Sequence, residues 1–207
     1  MLVLASASPR RRELLTQIGL SFQVHPANIP EDPYPDEDPT AYVTRLAREK
    51  AQAVFAEITG APSLASGTTE STKQGLDDRS PQVVLGADTT VTLDNLILGK
   101  PENPADAARM LRLLSGRTHR VITGVALVTP HSVQSAASVT SVTFLPLTEA
   151  EITAYVATGE PMDKAGAYAI QGRAARWIPR IEGCYFNVVG LPLSLVSTLL
   201  AASQPLG

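Results

Sequence analysis

Hydroxyl and guanidinium side chains crowd the first dozen residues of the chain. Ser6 and Ser8 flank a small residue, and Pro9 follows. Arg10–Arg12 then open an amphipathic segment whose apolar stripe is Leu14, Leu15 and Ile18. Ser8 suits a helix N-cap and Pro9 the first helical position, so the arginines fall in the first turn of a helix. Cations are unfavourable beside the partial positive charge of that terminus unless an anion lies between them. The pattern therefore favours a polyphosphate-binding turn over a solvated basic one.

A carboxylate forms a second chemical candidate. Val83–Leu85 predict a short buried strand, and Asp88 is the first charge after it. Ligands of α/β proteins commonly bind at the carboxyl end of such a strand, where an acid can bind Mg²⁺ or hold a water molecule. An aspartate that merely caps a turn is the less attractive alternative, because Thr89–Leu93 continue as an alternating strand.

Two lysines are placed to reach the same region. Lys50 follows Leu46 by four residues and so lies on the apolar stripe of a helix predicted over residues 40–58. Spacing alone slightly favours a lysine that turns outward to solvent over one that points at a ligand. Lys100 lies in the turn Gly99–Pro101, which we expect to return it towards the end of the strand.

Two further stretches carry weaker candidates. Small residues in the segment Asp163–Gly172 allow close backbone approach, while Asp163, Lys164 and Gln171 offer charge and an amide for a ligand. By composition the same segment also suits a tightly packed structural loop. Glu31 lies in a loop rich in proline and acid, where most carboxylates are simply solvated.

Composition excludes several classes of protein. A formal charge of −3 over 207 residues argues against a protein that coats nucleic acid. Cys184 is the only cysteine, which excludes an intramolecular disulfide, and His25, His119 and His131 lack metal-binding spacing. No apolar run approaches the length of a membrane span. We expect a soluble cytoplasmic protein with a small anionic ligand and neither a nucleic-acid nor a membrane partner.

The remaining pattern predicts strands and helices of an α/β protein. Helices are expected over 9–18, 40–58, 103–116, 148–159 and 192–202, and strands over 2–4, 21–24, 83–93, 120–128, 138–145 and 175–182. Residues 94–95 suggest a hairpin, and Thr148 with Glu151 a capping box. Residues 60–82 predict an exposed, flexible insertion. His119, Trp177 and Cys184 read as structural or solvent-facing rather than catalytic.

Together these landmarks resemble the Maf family, the septum-formation-inhibitor-like nucleoside triphosphate pyrophosphatases. The matching stretches follow the family's order and reach from end to end of the chain, apart from residues 60–82. They are Leu4–Arg11, Arg48–Ala51, Gly86–Thr89, Gly99–Pro101, Leu114–Gly116, Asp163–Tyr168, Ile170–Gly172 and Val189–Pro192.

The resemblance implies both a fold and a reaction. The expected fold is a mixed β-sheet with flanking helices of the inosine-triphosphatase-like type, one domain over residues 1–207 with a cleft between two lobes. The expected reaction is hydrolysis of a nucleoside triphosphate to monophosphate and pyrophosphate with Mg²⁺ or Mn²⁺. By resemblance Asp88 is the general base and metal-associated acid, and Glu31 is a second acid, although Ile29–Asp32 depart from the family's acidic pair. The positions that match the family's phosphate-binding residues are Ser6, Ser8, Arg11, Lys50 and Lys100.

The subgroup of the family sets the expected base. Arg10, Thr89 and Gln171 match the subgroup that acts on dTTP and UTP, and Asp163–Gly166 also look like that subgroup. Modified pyrimidine triphosphates are expected substrates as well. A purine or 7-methyl-GTP pyrophosphatase and a non-catalytic regulator of cell division remain alternatives. Members of the family are often dimers, so a homodimer is one expected assembly.

Overall fold

The fold centres on one mixed β-sheet with helices packed against it. The computed structural model describes residues 1–60, 83–94 and 96–203. Within these ranges the sheet has seven strands in the order β2-β1-β3-β5-β6-β7, with β4 paired to the far end of β3. The mixed α/β class predicted from the sequence is therefore confirmed. The insertion expected over residues 60–82 lies, apart from Gly60, outside the described residues.

Strands and helices are interspersed along the chain. The strands are β1 (Leu2–Leu4), β2 (Phe22–Val24), β3 (Val83–Leu93), β4 (Leu96–Leu98), β5 (Thr118–Val128), β6 (Val133–Thr143) and β7 (Arg180–Glu182). The helices are α1 (Pro9–Gln17), α2 (Pro39–Thr59), α3 (Pro104–Leu114), α4 (Glu149–Val156), α5 (Tyr185–Val189) and α6 (Leu193–Ser203). None of these helices is long and apolar enough to cross a membrane.

Strand β3 changes partners along its length, and this opens a gap in the sheet. Its first residues pair in parallel with β1, up to Leu85 opposite Leu4. On its other side β3 pairs antiparallel with β5 from Val84 to Thr92. Asp88 was expected at the end of a strand, but it lies inside the 11-residue strand β3, which continues in pairing with β5. It lies just beyond the point where β1 stops.

Helix α2 lies unusually close to the sheet. Its N-terminus is capped by Asp38, whose carboxylate accepts hydrogen bonds from the amides of Thr40 and Ala41. Gly86 and Gly124 face it from β3 and β5. A Cβ on Gly86 would lie 2.0 Å from the carbonyl oxygen of Ala47, and one on Gly124 2.3 Å from that of Val43. The absent side chains let the helix backbone rest directly on the sheet.

Three local predictions are confirmed and two are wrong. The hairpin between β3 and β4 forms, the Thr148–Glu151 capping box is present, and the last helix lies where the pattern placed it. The strand expected over 175–182 is shorter, because residues 173–177 form a 3₁₀ turn and β7 begins only at Arg180. Ile18 is 39% exposed rather than buried, because α1 ends at Gln17 and turns through Gly19.

An aromatic core covers the end of the sheet that β4 and β7 occupy. His119 packs edge-on against Phe144 and Tyr168, with ring centroids 5.1 and 5.3 Å away. Its Nε2 lies 2.8 Å from the hydroxyl of Tyr168, while its Nδ1 meets no hydrogen-bond partner among the described residues. His119 is thus structural and buried rather than solvent-facing.

We expect Gly86→Ala to destabilise the protein strongly. The new Cβ would collide with a backbone oxygen of α2, which cannot rotate away as a side chain can, so unfolding should become easier by about 3 kcal/mol. That corresponds to a melting temperature lower by roughly 6–12 °C for a domain of this size. Gly99→Ala is the control, because a Cβ there meets nothing within 4 Å. Equal melting temperatures for both variants would contradict the close packing of α2.

His119 should make stability depend on pH. Burial lowers its pKa from the ordinary 6.5 to about 4. The unfolded chain therefore takes up a proton on this ring between pH 6.5 and 4 while the folded protein does not, and stability falls as the pH falls through that window. Within that pH window, the free energy of unfolding of the wild type, measured with denaturant, should fall by up to about 1.4 kcal/mol per pH unit more than that of His119→Gln. Parallel pH profiles for the two proteins would refute a buried neutral imidazole.

Candidate active site

One pocket collects the candidate side chains that the sequence singled out, apart from Arg12, which is exposed and does not line it. It has a volume of about 550 Å³, which suits a ligand of nucleotide size, and opens where β1 ends beside β3. The predicted residues that line it are Ser6, Ser8, Arg10, Arg11, Glu31, Lys50, Asp88, Thr89, Lys100, Asp163, Lys164 and Gln171. Residues far apart in the chain therefore share one cavity.

A lysine shared by two carboxylates forms the charged centre of the pocket. The Nζ of Lys50 lies 2.6 Å from Oδ1 of Asp88 and 2.6 Å from Oε1 of Glu31. Lys50 and Asp88 are each only 7% exposed, whereas half of the Glu31 side chain is accessible. The alternative of an outward-turned Lys50, which spacing slightly favoured, is wrong. The close approach of α2 at Gly86 and Gly124 brings the ammonium directly onto β3.

The electrostatics of this centre keep the carboxylate of Glu31 charged. Partial burial alone would raise the pKa of Glu31, but the hydrogen bond and charge of Lys50, with help from Lys100 and Arg11, hold it below its ordinary value. Oδ2 of Asp88 meets no hydrogen-bond donor in the part of the chain that the structure describes, while Oδ1 is taken by Lys50. One oxygen of Asp88 therefore remains for a water molecule or a metal ion.

Arg11 builds the wall opposite Lys50. Its Nε donates to the carbonyl of Gly190 (2.9 Å), and Nη1 donates to the carbonyl of Ala87 (2.9 Å) and to Oγ of Ser6 (3.0 Å). Nη2 donates to Oγ1 of Thr89 at 3.1 Å. Burial lowers the pKa of Arg11, and the nearby Asp88 opposes that shift. Of five guanidinium N–H groups, four have acceptors among the described residues, so one Nη2 hydrogen is left for a ligand.

The first turn of α1 leaves its polar groups available. Ser8 is the N-cap residue, as predicted, but its hydroxyl caps no helix N–H group. Its amide donates to Oγ of Ser6 at 3.3 Å. Ser8, Arg10 and Arg11 line the pocket, and the Ser8 hydroxyl makes no hydrogen bond with the described residues, so this uncapped helix start suits an anion.

Thr89 belongs to a chain of hydrogen bonds that runs away from the pocket. Its Oγ1 accepts from Arg11 and lies 2.9 Å from Oγ1 of Thr123, its partner across the β3–β5 ladder. The hydroxyl of Thr123 donates in turn to the carbonyl of Asn187 at 3.1 Å. The Thr89 hydroxyl can donate either to Thr123 or, at 3.5 Å, to the carbonyl of Gly190, and both acceptors belong to the protein.

The far wall carries the remaining candidates. Arg10 approaches Asp163 at 3.5 Å, and the ammonium of Lys164 donates to the carbonyl of Glu160 at 2.8 Å. Gln171 and Lys100 are exposed at the rim. These long polar side chains line the same pocket as the Lys50 centre.

Two residues of α2 escaped the sequence reasoning. The hydroxyl of Tyr42 lines the pocket and donates to the carbonyl of Glu31 at 2.7 Å. Burial and the charges of Asp88 and Glu31 raise its pKa to about 12, so the phenol stays protonated. Arg45, one helical turn after Tyr42, donates to the same loop between β2 and α2. The available signal was spacing, because Tyr42 precedes Lys50 by eight residues and shares its helix face.

Comparison with known proteins identifies the family. The model of the family described as "Maf-like protein" matches residues 1–203. The chain is 53% identical over 204 residues to the dTTP/UTP pyrophosphatase of Moorella thermoacetica, covering 97% of this chain and 93% of that protein. It is 50% identical over 194 residues to the dTTP/UTP pyrophosphatase of Geobacter sulfurreducens, covering 93% and 91%. The chain belongs to the Maf family, and the resemblance drawn from its motifs is confirmed.

Proposed function

We propose that this protein is a nucleoside triphosphate pyrophosphatase that converts dTTP and UTP to the monophosphate and pyrophosphate. The observation that carries the proposal is the Lys50 ammonium held between Asp88 and Glu31 in a pocket lined by further cations. Relatives that are about half identical over nearly their full length bear the name dTTP/UTP pyrophosphatase, which supports the substrate. In the cell the activity would remove unwanted pyrimidine nucleotides, including modified ones, from the cytoplasmic pool.

The cations of the pocket suit the charge of a triphosphate. Phosphoanhydride hydrolysis needs little covalent help, and catalysis rests on neutralising charge and orienting the attacking water. We assign Arg11, Lys50 and Lys100 to the departing pyrophosphate. Arg11 is fixed by four hydrogen bonds before any ligand arrives, so its remaining N–H group is preorganised. The hydroxyls of Ser6 and Ser8 complete the phosphate site.

Asp88 is the group placed to activate water. Its Oδ1 is anchored by Lys50, and Oδ2 faces the pocket without a donor from the described residues. In our proposal Oδ2 of Asp88 orients the water molecule and accepts a proton from it while the water oxygen attacks the α-phosphorus. The bond from that phosphorus to the bridging oxygen then breaks, and pyrophosphate leaves towards the cations.

The carboxylates also fit a divalent metal ion. Asp88 and Glu31 both reach one cation, since each contacts the Nζ of Lys50 at 2.6 Å. No third acidic, histidine or cysteine side chain joins them in the described ranges. Mg²⁺ commonly binds through one or two carboxylates and completes its shell with water and substrate phosphates, so this set suits it. When bound, Mg²⁺ or Mn²⁺ would neutralise phosphate charge and lower the pKa of water.

Base selection is assigned to the residues around Arg11 and the far wall. Arg10 offers guanidinium donors and Gln171 an amide with donor and acceptor, and Thr89 lies in the same pocket beside Arg11. A site built on such directed hydrogen bonds discriminates strongly against a base that leaves them unpaired. We favour pyrimidines over purines because the relatives described above are dTTP/UTP pyrophosphatases. A homodimer is also part of the proposal.

The purified protein should release pyrophosphate selectively from pyrimidine triphosphates. With Mg²⁺, we expect kcat/KM for UTP, dTTP, 5-methyl-UTP and pseudo-UTP to exceed that for ATP, GTP and 7-methyl-GTP by about tenfold or more. Preference for a purine would overturn the role of Arg10, Thr89 and Gln171 but keep the reaction. Nucleotide binding without pyrophosphate release, with Mn²⁺ also tried, would favour a non-catalytic regulator instead.

Asp88→Asn should abolish turnover while UTP binding persists. Loss of the general base is expected to lower kcat by roughly 10²–10⁴-fold, with UTP binding by calorimetry still measurable. Asp94→Asn is the matched control, because Asp94 is an exposed aspartate after the same strand and pairs only with Arg117 among the described residues. If Asp88→Asn turned over UTP as fast as the control, Asp88 would have no part in the chemistry.

A further inference from the structure

The loop that carries Glu31 has little regular structure of its own. Between β2 and α2 the chain forms no helix or strand, and most of its residues are exposed. Half of the Glu31 side chain is accessible, yet its carboxylate meets Lys50 at 2.6 Å. Holding a loop residue in one position costs conformational entropy, so contacts from the rest of the molecule must fix it.

Arg45 makes an unusually dense set of contacts with this loop. Its Nε and Nη2 each donate to one carboxylate oxygen of Glu37 at 2.7 Å, which forms a two-pronged ion pair. Nη2 also donates to the carbonyl of Asp32 at 3.1 Å, and Nη1 to Glu49 at 3.2 Å. The guanidinium carbon lies 3.9 Å from the ring centroid of Tyr34. One side chain of α2 thus engages the loop at three separate residues.

These contacts differ from those of an ordinary surface ion pair. Only 11% of the Arg45 side chain and 10% of that of Glu37 are exposed, so water screens the pair weakly. Arginine suits this place because its planar fork matches the carboxylate and its face stacks on a ring. The hydrogen bond from Arg45 holds the pKa of Glu37 below its ordinary value, which keeps the pair charged at neutral pH.

Two adjacent loop carbonyls are tied to the same helix. Tyr42 takes the carbonyl of Glu31 and Arg45 takes that of Asp32, and the two side chains lie one helical turn apart. Lys50 projects further along α2 to meet the carboxylate of Glu31. The helix that supplies the central lysine therefore also sets the backbone position of that lysine's acidic partner.

We propose that Arg45 is a positioning residue that acts through Glu31, holding its carboxylate beside Lys50 and Asp88 so that the pair of acids can receive a divalent cation. The proposal rests on the metal role assigned to Glu31 in the proposed function. Arg45 itself does not line the pocket, so any effect of its replacement on cation binding must pass through the loop.

A double-mutant cycle on Mn²⁺ binding tests this coupling directly. Free Mn²⁺ is measured by electron paramagnetic resonance with wild type, Arg45→Met, Glu31→Gln and the double variant, without nucleotide. We expect each single variant to weaken Mn²⁺ binding, Arg45→Met by about tenfold, as is typical when the support of a metal ligand is removed. The double variant should bind no more weakly than Glu31→Gln alone.

Arg112→Met is the matched control. Arg112 makes the same two-pronged pair with Glu149, at 2.8 and 2.7 Å, but on an exposed surface between α3 and α4. Its replacement should leave Mn²⁺ affinity unchanged. Arg45→Lys guards against misfolding, because it keeps the charge but loses the fork. It should recover only part of the affinity, with a melting temperature closer to wild type than that of Arg45→Met.

The outcomes separate this proposal from the proposed function. Equal Mn²⁺ affinity for Arg45→Met and Arg112→Met, additive losses in the cycle, or no Mn²⁺ binding by wild type would each overturn the role of Arg45. Coupled losses of Mn²⁺ affinity in a protein that releases no pyrophosphate from any triphosphate would support Arg45 and refute the pyrophosphatase activity instead.

Discussion

The contact of one lysine with two carboxylates constrains the whole structure. A buried ammonium is tolerable only when it is paired, and Lys50 is paired twice at 2.6 Å. The pairing needs α2 almost in contact with the sheet, which Gly86 and Gly124 permit by carrying no Cβ. It also needs β1 to end early, so that no neighbouring strand pairs with β3 at Asp88 on that side. The ion cluster and the packing of the sheet therefore depend on each other.

Arg11 fixes the other half of the pocket by the same logic. Its guanidinium joins β3, the end of α5 and the turn after β1 through backbone carbonyls and two hydroxyls. The hydrogen-bond chain continues through Thr89 and Thr123 to Asn187. Such a network is ordered before a ligand arrives, so little reorganisation opposes the reaction. A charged substrate would meet a rigid wall on one side and a held loop on the other.

The sequence predicted the class of the fold and the family, because both follow from local patterns and ordered motifs. It also predicted the side chains that the pocket collects. The direction of Lys50 was missed, since it depends on two glycines that are distant in sequence and face the helix only after folding. Arg45 and Tyr42 gave no chemical signal, because charged and aromatic residues are common on helices. The 3₁₀ turn at 173–177 was missed because its last three residues, Ala175–Trp177, alternate between apolar and polar in the way a strand does.

The position of water attack tests the account most directly. UTP would be hydrolysed with Mg²⁺ in H₂¹⁸O, and the products examined by ³¹P NMR for the isotope shift that ¹⁸O causes. If Asp88 directs water to the α-phosphorus while Arg11, Lys50 and Lys100 hold the departing group, the label appears in UMP and the pyrophosphate is unlabelled. Label in pyrophosphate, or formation of UDP and orthophosphate, would contradict the arrangement of acid and cations on which this account rests.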